Sequence, residues 1–481
     1  MNHNQLKLPP LQWRNLLALC GSGLSLIFFS WFFLKPSLPT ALLGLAAIAL
    51  LAGSTFFFAP DGALLLRRLM PLLFVAAILL PYIRLPGGIP DLRPELLMVI
   101  VAGGLLLLDH LATGHPLRFR PSPAYKWFAF FAFAILLSTV YASTFKGQPI
   151  SGRDLWELMK LALYFLIFFL VASKELSPRE LKRYYLLLLI LLLLSALFGF
   201  MQYINFAGVN QFISPHYAPS QMQGLLVHKR ITGTTPNPNE FGALLVLASS
   251  LALSGALFFQ EGRMRLFCWI ALPVYLFALI LTLSRTALIS LFVSFLLLLS
   301  LFFKKRGFKR SFMRLFIVIL LGCLIGLVIL QFTPAKAFTR FGELTMFTQA
   351  TSWQARVQNW ETHYSLWRSS PWFGWGPGKV DMGTVVDNEW LLLLRRYGVV
   401  GLSLFLSLFG SIYLGLSRIV KRSEEAPAVA LAVALKSTLI AYMVYMALAV
   451  VYHSLQLMPI LLLSLGLAYT RWPPGRREAG Y

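Results

Sequence analysis

The chain of 481 residues is 58% hydrophobic and only 12% charged, and its mean hydropathy is +0.72. A soluble globular protein carries about 25% charged residues, so this composition argues against a soluble fold and for a protein that exposes apolar surface to lipid. The three cysteines lie in apolar runs, which argues against a disulfide framework or a cysteine zinc site. The formal net charge of +24 raises the question of an acidic partner such as nucleic acid.

Apolar runs of about 20 residues, the length that crosses a bilayer core of about 30 Å, recur along the whole chain. They predict an all-α polytopic membrane helix bundle of about 12–14 transmembrane helices. The first run lacks a small-residue cleavage site, so we expect an anchor rather than a signal peptide. The predicted spans lie near residues 15–34, 39–59, 67–84, 95–112, 125–141, 155–172, 183–203, 238–259, 265–283, 286–303, 313–333, 398–417, 427–450 and 455–470.

The basic residues alternate between the two sides of these predicted spans. With the N-terminus placed in the cytoplasm, most lysines and arginines fall in inner loops, among them the segment KKRGFKRSFMR. This is the positive-inside pattern, so the charge needs no nucleic-acid partner, and both termini are predicted to be cytoplasmic. The outer side then carries two long loops, residues 204–237 and 334–397, and long ordered loops usually have a function.

An arginine lies in the first long outer loop, within HKRITGTTPNPNEFGALL. Gly233 and the two prolines prevent a regular helix until about Glu240, and Asn237 or Asn239 can cap the helix that follows. Arg230 would then be held in a rigid turn beside a helix N-terminus, where the guanidinium, backbone N–H groups and helix dipole all favour phosphate. The alternative is an arginine that merely reaches to the membrane interface.

A second arginine, Arg285, lies in the short outer turn of LTLSRTALISLF with apolar residues on both sides. An arginine in such a place needs a partner, and charged residues within membrane segments usually serve function. The alternative is a structural ion pair with a carboxylate such as Glu157 or Glu240.

The second long loop contains an amphipathic helix, predicted from Trp353 to Arg368. One stripe of this helix carries Arg356, Trp360, Tyr364 and Trp367. Such a stripe fits an interfacial aromatic belt, and the same side chains can also stack on sugar rings. The sequence PWFGWGPG then predicts a rigid turn.

The stretch VVDNEWLLLLRRYGVVGL follows this turn. Its segment from Asp387 to Arg396 is too short to span a bilayer and too charged for lipid, whereas the residues from Gly398 onward make a good span. We predict a short helix that begins at Asp387 or Asn388, dips into the outer interface and lines a wet cavity. Under the alternative interpretation, Asp387 is a helix N-cap and nothing more.

In this order, the motifs resemble the O-antigen ligase/polymerase superfamily (Wzy/WaaL type) of bacterial inner-membrane glycosyltransferases. The resemblance extends over about residues 190–420 and divides the chain into N-terminal transmembrane helices, 1–203, and a ligase/polymerase-like region, 204–480, that includes loop 334–397. The matching motifs are RITGTTPNPNEFGA at Arg230 to Ala243, LSRTAL at Leu283 to Leu288, Arg356 with Trp360, PWFGWGPG at Pro371 to Gly378, and DNEWL at Asp387 to Leu391.

The resemblance implies a periplasmic transfer of glycan from an undecaprenyl-pyrophosphate-linked oligosaccharide to an acceptor glycan hydroxyl, in the lipid bilayer, without metal or cofactor. It also implies a chain-length regulator as a partner. The family's arginines are thought to hold the pyrophosphate, which carries over to Arg230 and Arg285. We expect Asp387 to act as the base, since an inverting attack needs a proton acceptor near the acceptor hydroxyl. Glu389, two residues on and on a different helix face, is the alternative base. The expected substrate-binding residues are Asn388, Glu389, Arg356, Trp360 and Asn239.

Polymerisation of surface polysaccharide repeat units is the expected reaction, because ligases of this family typically have His-Asn where this chain has Asp387-Asn388. Ligation of O-antigen to lipid A-core is the first alternative. A small-anion transporter, such as one for bicarbonate, is the second, and its relay would use intramembrane charges. Candidates for that relay are Lys436, Asp109 with His110, and the helical face of Asp154, Glu157 and Lys160.

Overall fold

The computed structural model describes residues 62–80, 93–113, 122–150, 152–214, 219–306, 351–377 and 386–471. Three of the predicted spans, near 15–34, 39–59 and 313–333, lie outside the described residues, as do parts of the predicted loop 334–397.

Helices make up almost all of the described chain, with short turns between them. They are α1 (Gly62–Leu79), α2 (Pro94–Thr113), α3 (Pro123–Lys146), α4 (Gly152–Ala172), α5 (Pro178–Ile204), α6 (Val209–Ile213), α7 (Pro219–His228), α8 (Pro238–Phe258), α9 (Gly262–Leu281), α10 (Arg285–Arg306), α11 (Thr351–Arg368), α12 (Glu389–Arg422), α13 (Ala426–Tyr445) and α14 (Leu457–Tyr469). A 3₁₀ turn, Phe206–Gly208, precedes α6.

Within the described residues, 8 helices are long and apolar enough to cross a membrane, namely α3, α4, α5, α8, α9, α10, α12 and α13. Shorter apolar helices lie in α1, α2 and α14. These helices confirm the predicted polytopic membrane helix bundle. The predicted loop 204–237 contains α6 and α7, and the described part of loop 334–397 contains α11.

Two helices, α8 and α13, form the centre of the bundle. Every residue of α8 from Phe241 to Phe258 is buried, and α8 packs against α9, α10 and α13. Small residues allow these close approaches, as is common where membrane helices pack together. A Cβ added at Gly242 would lie only 2.7 Å from the Cβ of Ala287 in α10. Hydrogen bonds join α8 to α13, because the hydroxyl of Tyr442 donates to the carbonyl of Ala243 at 2.8 Å.

Helix α12 is broken at Gly398, where φ is 64° and ψ is −167°. The break divides α12 into a short segment, 389–397, and a long one, 399–422, as the sequence predicts. Backbone groups that the break removes from helical pairing need other partners, above all in a membrane protein. The turn 371–376 supplies them: the N–H of Trp375 donates to the carbonyl of Arg395 at 2.8 Å, and the N–H of Val399 donates to the carbonyl of Pro371 at 2.9 Å.

Candidate functional site

The candidate residues gather at one end of the bundle, which we call the site end. Helices α8, α10 and α12 begin there, and α13 ends there. The hydroxyl of Tyr445, the last residue of α13, donates to the carbonyl of Asn239 in the first turn of α8 at 2.6 Å. The N–H of Glu389, the first residue of α12, donates to the carbonyl of Met446 at 2.8 Å.

The turn that carries Arg230 is held by Gln202, near the end of α5. The side-chain oxygen of Gln202 accepts from the N–H groups of Thr232 and Gly233, at 3.0 and 2.9 Å. Gly233 has a φ of 55°, and a Cβ there would overlap the ring of Phe241. Only glycine fits this position, because it tolerates positive φ and leaves room for the ring. The predicted rigid turn before α8 is confirmed.

Helix α8 begins at Asn237, whose side chain accepts from the N–H of Asn239 at 2.8 Å, with Pro238 in the first helical position. Of the two predicted caps, Asn237 is therefore the one used. The side chain of Asn239 remains available for another contact.

The side chains of Arg230 and Asn239 are in contact, and the sequence motifs assign both residues to the site. The Arg230 guanidinium donates from Nη2 to the Asn239 side-chain oxygen at 3.1 Å and from Nε to the carbonyl of Thr282 at 3.0 Å. Thr282 lies in the connection between α9 and α10, three residues before the half-buried Arg285. The structure therefore places Arg230, Asn239 and Arg285 around one short connection at the site end.

Arg356 and Asp387 also meet, although 30 residues separate them in sequence. Arg356 Nε lies 3.4 Å from Asp387 Oδ2, and the Asp387 side chain is 50% exposed. Trp360 packs against the small apolar cluster of Val386, Leu391 and Leu392. Helix α11 thus lies over the start of α12, with a carboxylate open to solvent beside an arginine.

The N-cap of α12 is Asn388, not Asp387. The Asn388 side-chain oxygen accepts from the N–H of Leu391 at 3.1 Å. The interpretation of Asp387 as a helix cap is therefore wrong, because its neighbour already satisfies this helix start. The carboxylate of Asp387 is left to interact with Arg356 and with whatever enters from solvent.

Glu389 lies deeper than a solvent-facing substrate-binding residue would. Its side chain is fully buried, and both carboxylate oxygens have protein partners. Oε2 accepts from the N–H of Val451 at 2.7 Å, and Oε1 contacts Nδ1 of His453. Both partners belong to the turn that joins α13 to α14, which we call the 446–456 connection.

A buried charge cluster lies directly behind this contact. Its members are Glu157, Lys160, Glu389, Arg396 and His453. Arg396 Nη1 lies 3.2 Å from Glu157 Oε1 and 2.5 Å from His453 Nε2, and Lys160 Nζ lies 2.5 Å from Glu157 Oε2. Two carboxylates thus contact two cations, and this pairing offsets the cost of burying these charges away from water.

The pKa of His453 is lowered in this cluster. Burial lowers the pKa of its imidazole to about 4; Lys160 and Arg396 lower it too, and the carboxylates of Glu389 and Glu157 oppose the shift. The neutral ring can then donate from Nδ1 to Glu389 while Nε2 accepts from Arg396.

The arginines of RRYG are kept from lipid by protein partners. Arg396 belongs to the charge cluster, and Arg395 Nη1 lies 3.4 Å from Nδ1 of His363 in α11. Both contacts are with protein groups, and the predicted wet cavity beside these charges stays a prediction.

The 446–456 connection also reaches the start of α8. Ser454 Oγ donates to Glu240 Oε2 at 2.9 Å, and Gln456 Nε2 donates to the carbonyl of Thr234 at 3.2 Å. No motif in the sequence points to this connection. Its one signal is a lone histidine in the apolar run VVYHSLQ, which is more often a core residue than a site residue.

The residues of the predicted transport relay lie apart. Glu157 and Lys160 belong to the charge cluster at the site end, while Lys436 lies 4.5 Å from the ring centre of Tyr413 in the long segment of α12. The side chains of Asp109 and His110 lie outside the described residues. Among the side chains that are described, no group of three or more His, Cys, Asp or Glu is arranged to hold a metal ion.

Residues 266–406 match the family model described as O-antigen ligase. No curated protein matches the chain. The matched segment contains Arg285, Arg356, Trp360 and residues 387–389, whereas Arg230 and Asn239 precede it. The match supports the O-antigen ligase/polymerase superfamily, and with it a glycosyltransferase-like enzyme, over a shorter segment than the motifs suggest.

Proposed function

We propose, on the match of residues 266–406 to the family model described as O-antigen ligase, that the protein polymerises surface polysaccharide in a bacterial inner membrane. It transfers an undecaprenyl-pyrophosphate-linked glycan to a hydroxyl of an acceptor glycan on the periplasmic side. The observation that carries this proposal is that the Arg230–Asn239 contact and the Arg356–Asp387 contact both lie at the site end.

The arginines would serve the leaving group. As the bond from the anomeric carbon to the pyrophosphate oxygen breaks, negative charge grows on the phosphate, and a positioned guanidinium stabilises that charge. Thr282 and Asn239 fix the plane of the Arg230 guanidinium before substrate arrives. Arg285, the first residue of α10, lies beside the same connection.

Asp387 would serve the acceptor. The attacking hydroxyl loses its proton as it bonds to the anomeric carbon, and a carboxylate within hydrogen-bond reach can take that proton. Asp387 is half-exposed and does not cap α12, which supports this role. Trp360 and the exposed Tyr364 of α11 offer apolar ring faces on which sugar rings can stack.

Ligation to lipid A-core is the second candidate, because the matched family is described as O-antigen ligase. The two reactions share donor and leaving group and differ only in acceptor. Asp387 at the position where ligases typically carry histidine favours the polymerase.

Purified protein in lipid nanodiscs, supplied with lipid-linked glycan from a source strain lacking this gene, separates the candidates. A polymerase produces a ladder of longer lipid-linked chains from that substrate alone. A ligase produces a new glycolipid only when lipid A-core is added. Absence of both products from a folded preparation would overturn the proposed function.

A further inference from the structure

We infer that the 446–456 connection holds the donor-binding and acceptor-binding sides of the site in fixed relative positions, with His453 as its positioning residue. This inference rests on the proposed function and adds to it a segment that lies outside the matched residues 266–406.

The connection holds the acceptor side through the first residue of α12. Glu389 bonds to it four times. Its N–H donates to the carbonyl of Met446, and its carboxylate accepts from the N–H groups of Val451 and His453 and contacts His453 Nδ1. Because Asn388 and Asp387 directly precede Glu389, a shift of Glu389 would displace the proposed base.

The connection holds the donor side through the first turn of α8 and the turn before it. Ser454 donates to the carboxylate of Glu240. The residue before Glu240 is Asn239, and its side chain orients the Arg230 guanidinium. Gln456 bonds to the carbonyl of Thr234. The eleven residues from 446 to 456 therefore touch both sides.

The connection itself is tightly fixed. The hydroxyl of Tyr164 in α4 lies 3.3 Å from the carbonyl oxygens of both Tyr452 and Ser454. The buried Tyr452 ring packs edge-on against Phe131 and Phe405, with ring centres 5.6 and 5.4 Å away. A segment anchored in this way can transmit position, since misplacement of reacting groups by about 1 Å costs up to about 100-fold in rate.

Two kinds of substitution test the donor side and the acceptor side of the connection independently. Ser454→Ala removes the bond to Glu240, and we expect it to raise the KM for the donor about 3- to 10-fold while the acceptor KM stays constant. His453→Leu removes the donor to Glu389, and we expect it to lower kcat about 10-fold or more and raise the acceptor KM. His453→Asn keeps an N–H donor close to the position of Nδ1 and should restore most of the lost kcat.

The assay uses full-length protein in nanodiscs, labelled lipid-linked glycan as donor, and repeat-unit oligosaccharide freed from lipid by mild acid as acceptor. Tyr275→Phe is the control, because it removes a buried hydrogen bond to the carbonyl of Leu189, away from the connection. We expect both of its KM values to match wild type.

Wild-type kinetics in His453→Leu would overturn the inference, as would an unchanged donor KM in Ser454→Ala. The inference would also be overturned if all variants, including the control Tyr275→Phe, changed kcat equally and none of them changed either KM. If His453→Leu does not accumulate, the KM values of Ser454→Ala decide. An inactive wild-type protein would instead count against the proposed function itself.

Discussion

Gly398 in α12 lies directly against Trp372 of the preceding turn, so closely that a Cβ at Gly398 would overlap the Trp372 carbonyl oxygen. The contact is reciprocal, because a Cβ at Gly374 would overlap the carbonyl oxygen of Arg396. Both glycines have positive φ, 64° and 70°. The motifs PWFGWGPG and RRYG thus dock backbone to backbone, which explains why each needs its glycine.

Gly398→Ala should therefore destabilise the fold. Positive φ and the overlap together cost about 1–3 kcal/mol or more. The measurement is the midpoint of thermal unfolding in detergent, followed by tryptophan fluorescence. Gly410→Ala in the same helix is the matched control, because a Cβ there meets no atom within 4 Å. An unchanged midpoint in Gly398→Ala would contradict the docking described above.

Lysine should fail to replace either Arg230 or Arg285. A lysine lacks the planar guanidinium that pairs with phosphate through two N–H groups. At position 230 a lysine also lacks the two N–H groups with which Arg230 reaches Thr282 and Asn239 together. We expect transfer to fall at least about 10-fold in each lysine variant, measured as donor consumed in nanodiscs. Arg265→Lys, at a partly exposed position near the start of α9, is the control. Wild-type polymer from both site variants would refute the phosphate-binding role.

Asp387→Asn should abolish most activity without affecting folding. The carboxylate is lost, while Asn388 still caps α12. Loss of a general base lowers the rate by about 10²- to 10⁴-fold, and we expect kcat to fall in that range. The comparison variant is Asn388→Ala, which should cost about 1 kcal/mol of stability through the lost cap. Full activity of Asp387→Asn would remove Asp387 from the mechanism.

Glu157→Gln should destabilise the protein strongly, because it leaves Lys160 and Arg396 without this carboxylate in a buried place. Breaking one partner of a buried ion pair costs about 3–5 kcal/mol. Adding Lys160→Met should recover part of that loss, as measured by the thermal midpoint in detergent. Lys182→Gln tests an exposed pair with Glu261 for comparison and should cost less than about 1 kcal/mol. A double variant no more stable than Glu157→Gln would show that charge balance is not what matters here.

The sidedness of the bundle is testable with single cysteines in a background without the three native ones. Ser214 and Ser369 are exposed at the site end, and Glu424 is exposed between α12 and α13. We expect an impermeant maleimide to label the first two positions in whole cells and the third only after the inner membrane is opened. The reverse pattern would place the site end in the cytoplasm.

Sequence patterns predict the spans and local turns well, because hydropathy and turn chemistry act over short distances. The Arg230 turn, the break at Gly398 and helix α11 all depend on neighbouring residues. The choice between Asp387 and Asn388 as cap was open, since both side chains suit that position equally. Only the three-dimensional geometry selects Asn388.

Long-range contacts could not be predicted in this way. The pairing of Glu157 with Arg396 joins residues 239 apart, and hydropathy does not specify which helices are neighbours. The predicted span 427–450 continued past the end of α13 at Tyr445, because the apolar run does not stop where the backbone turns. Residues 446–450 of the 446–456 connection were hidden inside that predicted span, and His453 lies in the short gap before the next one.

The complete enclosure of α8 has a consequence for how the chain is made. Ser254 of α8 donates to the carbonyl of Ala430, and Ser250 bonds to Ser294, so two of its serines depend on helices synthesised later. During translation α8 enters the bilayer well before α13 leaves the ribosome. Until then the hydroxyl groups of these serines either face lipid or form hydrogen bonds within α8. Assembly of the centre therefore waits for the C-terminal part of the chain, because the partner of Ser254 belongs to α13.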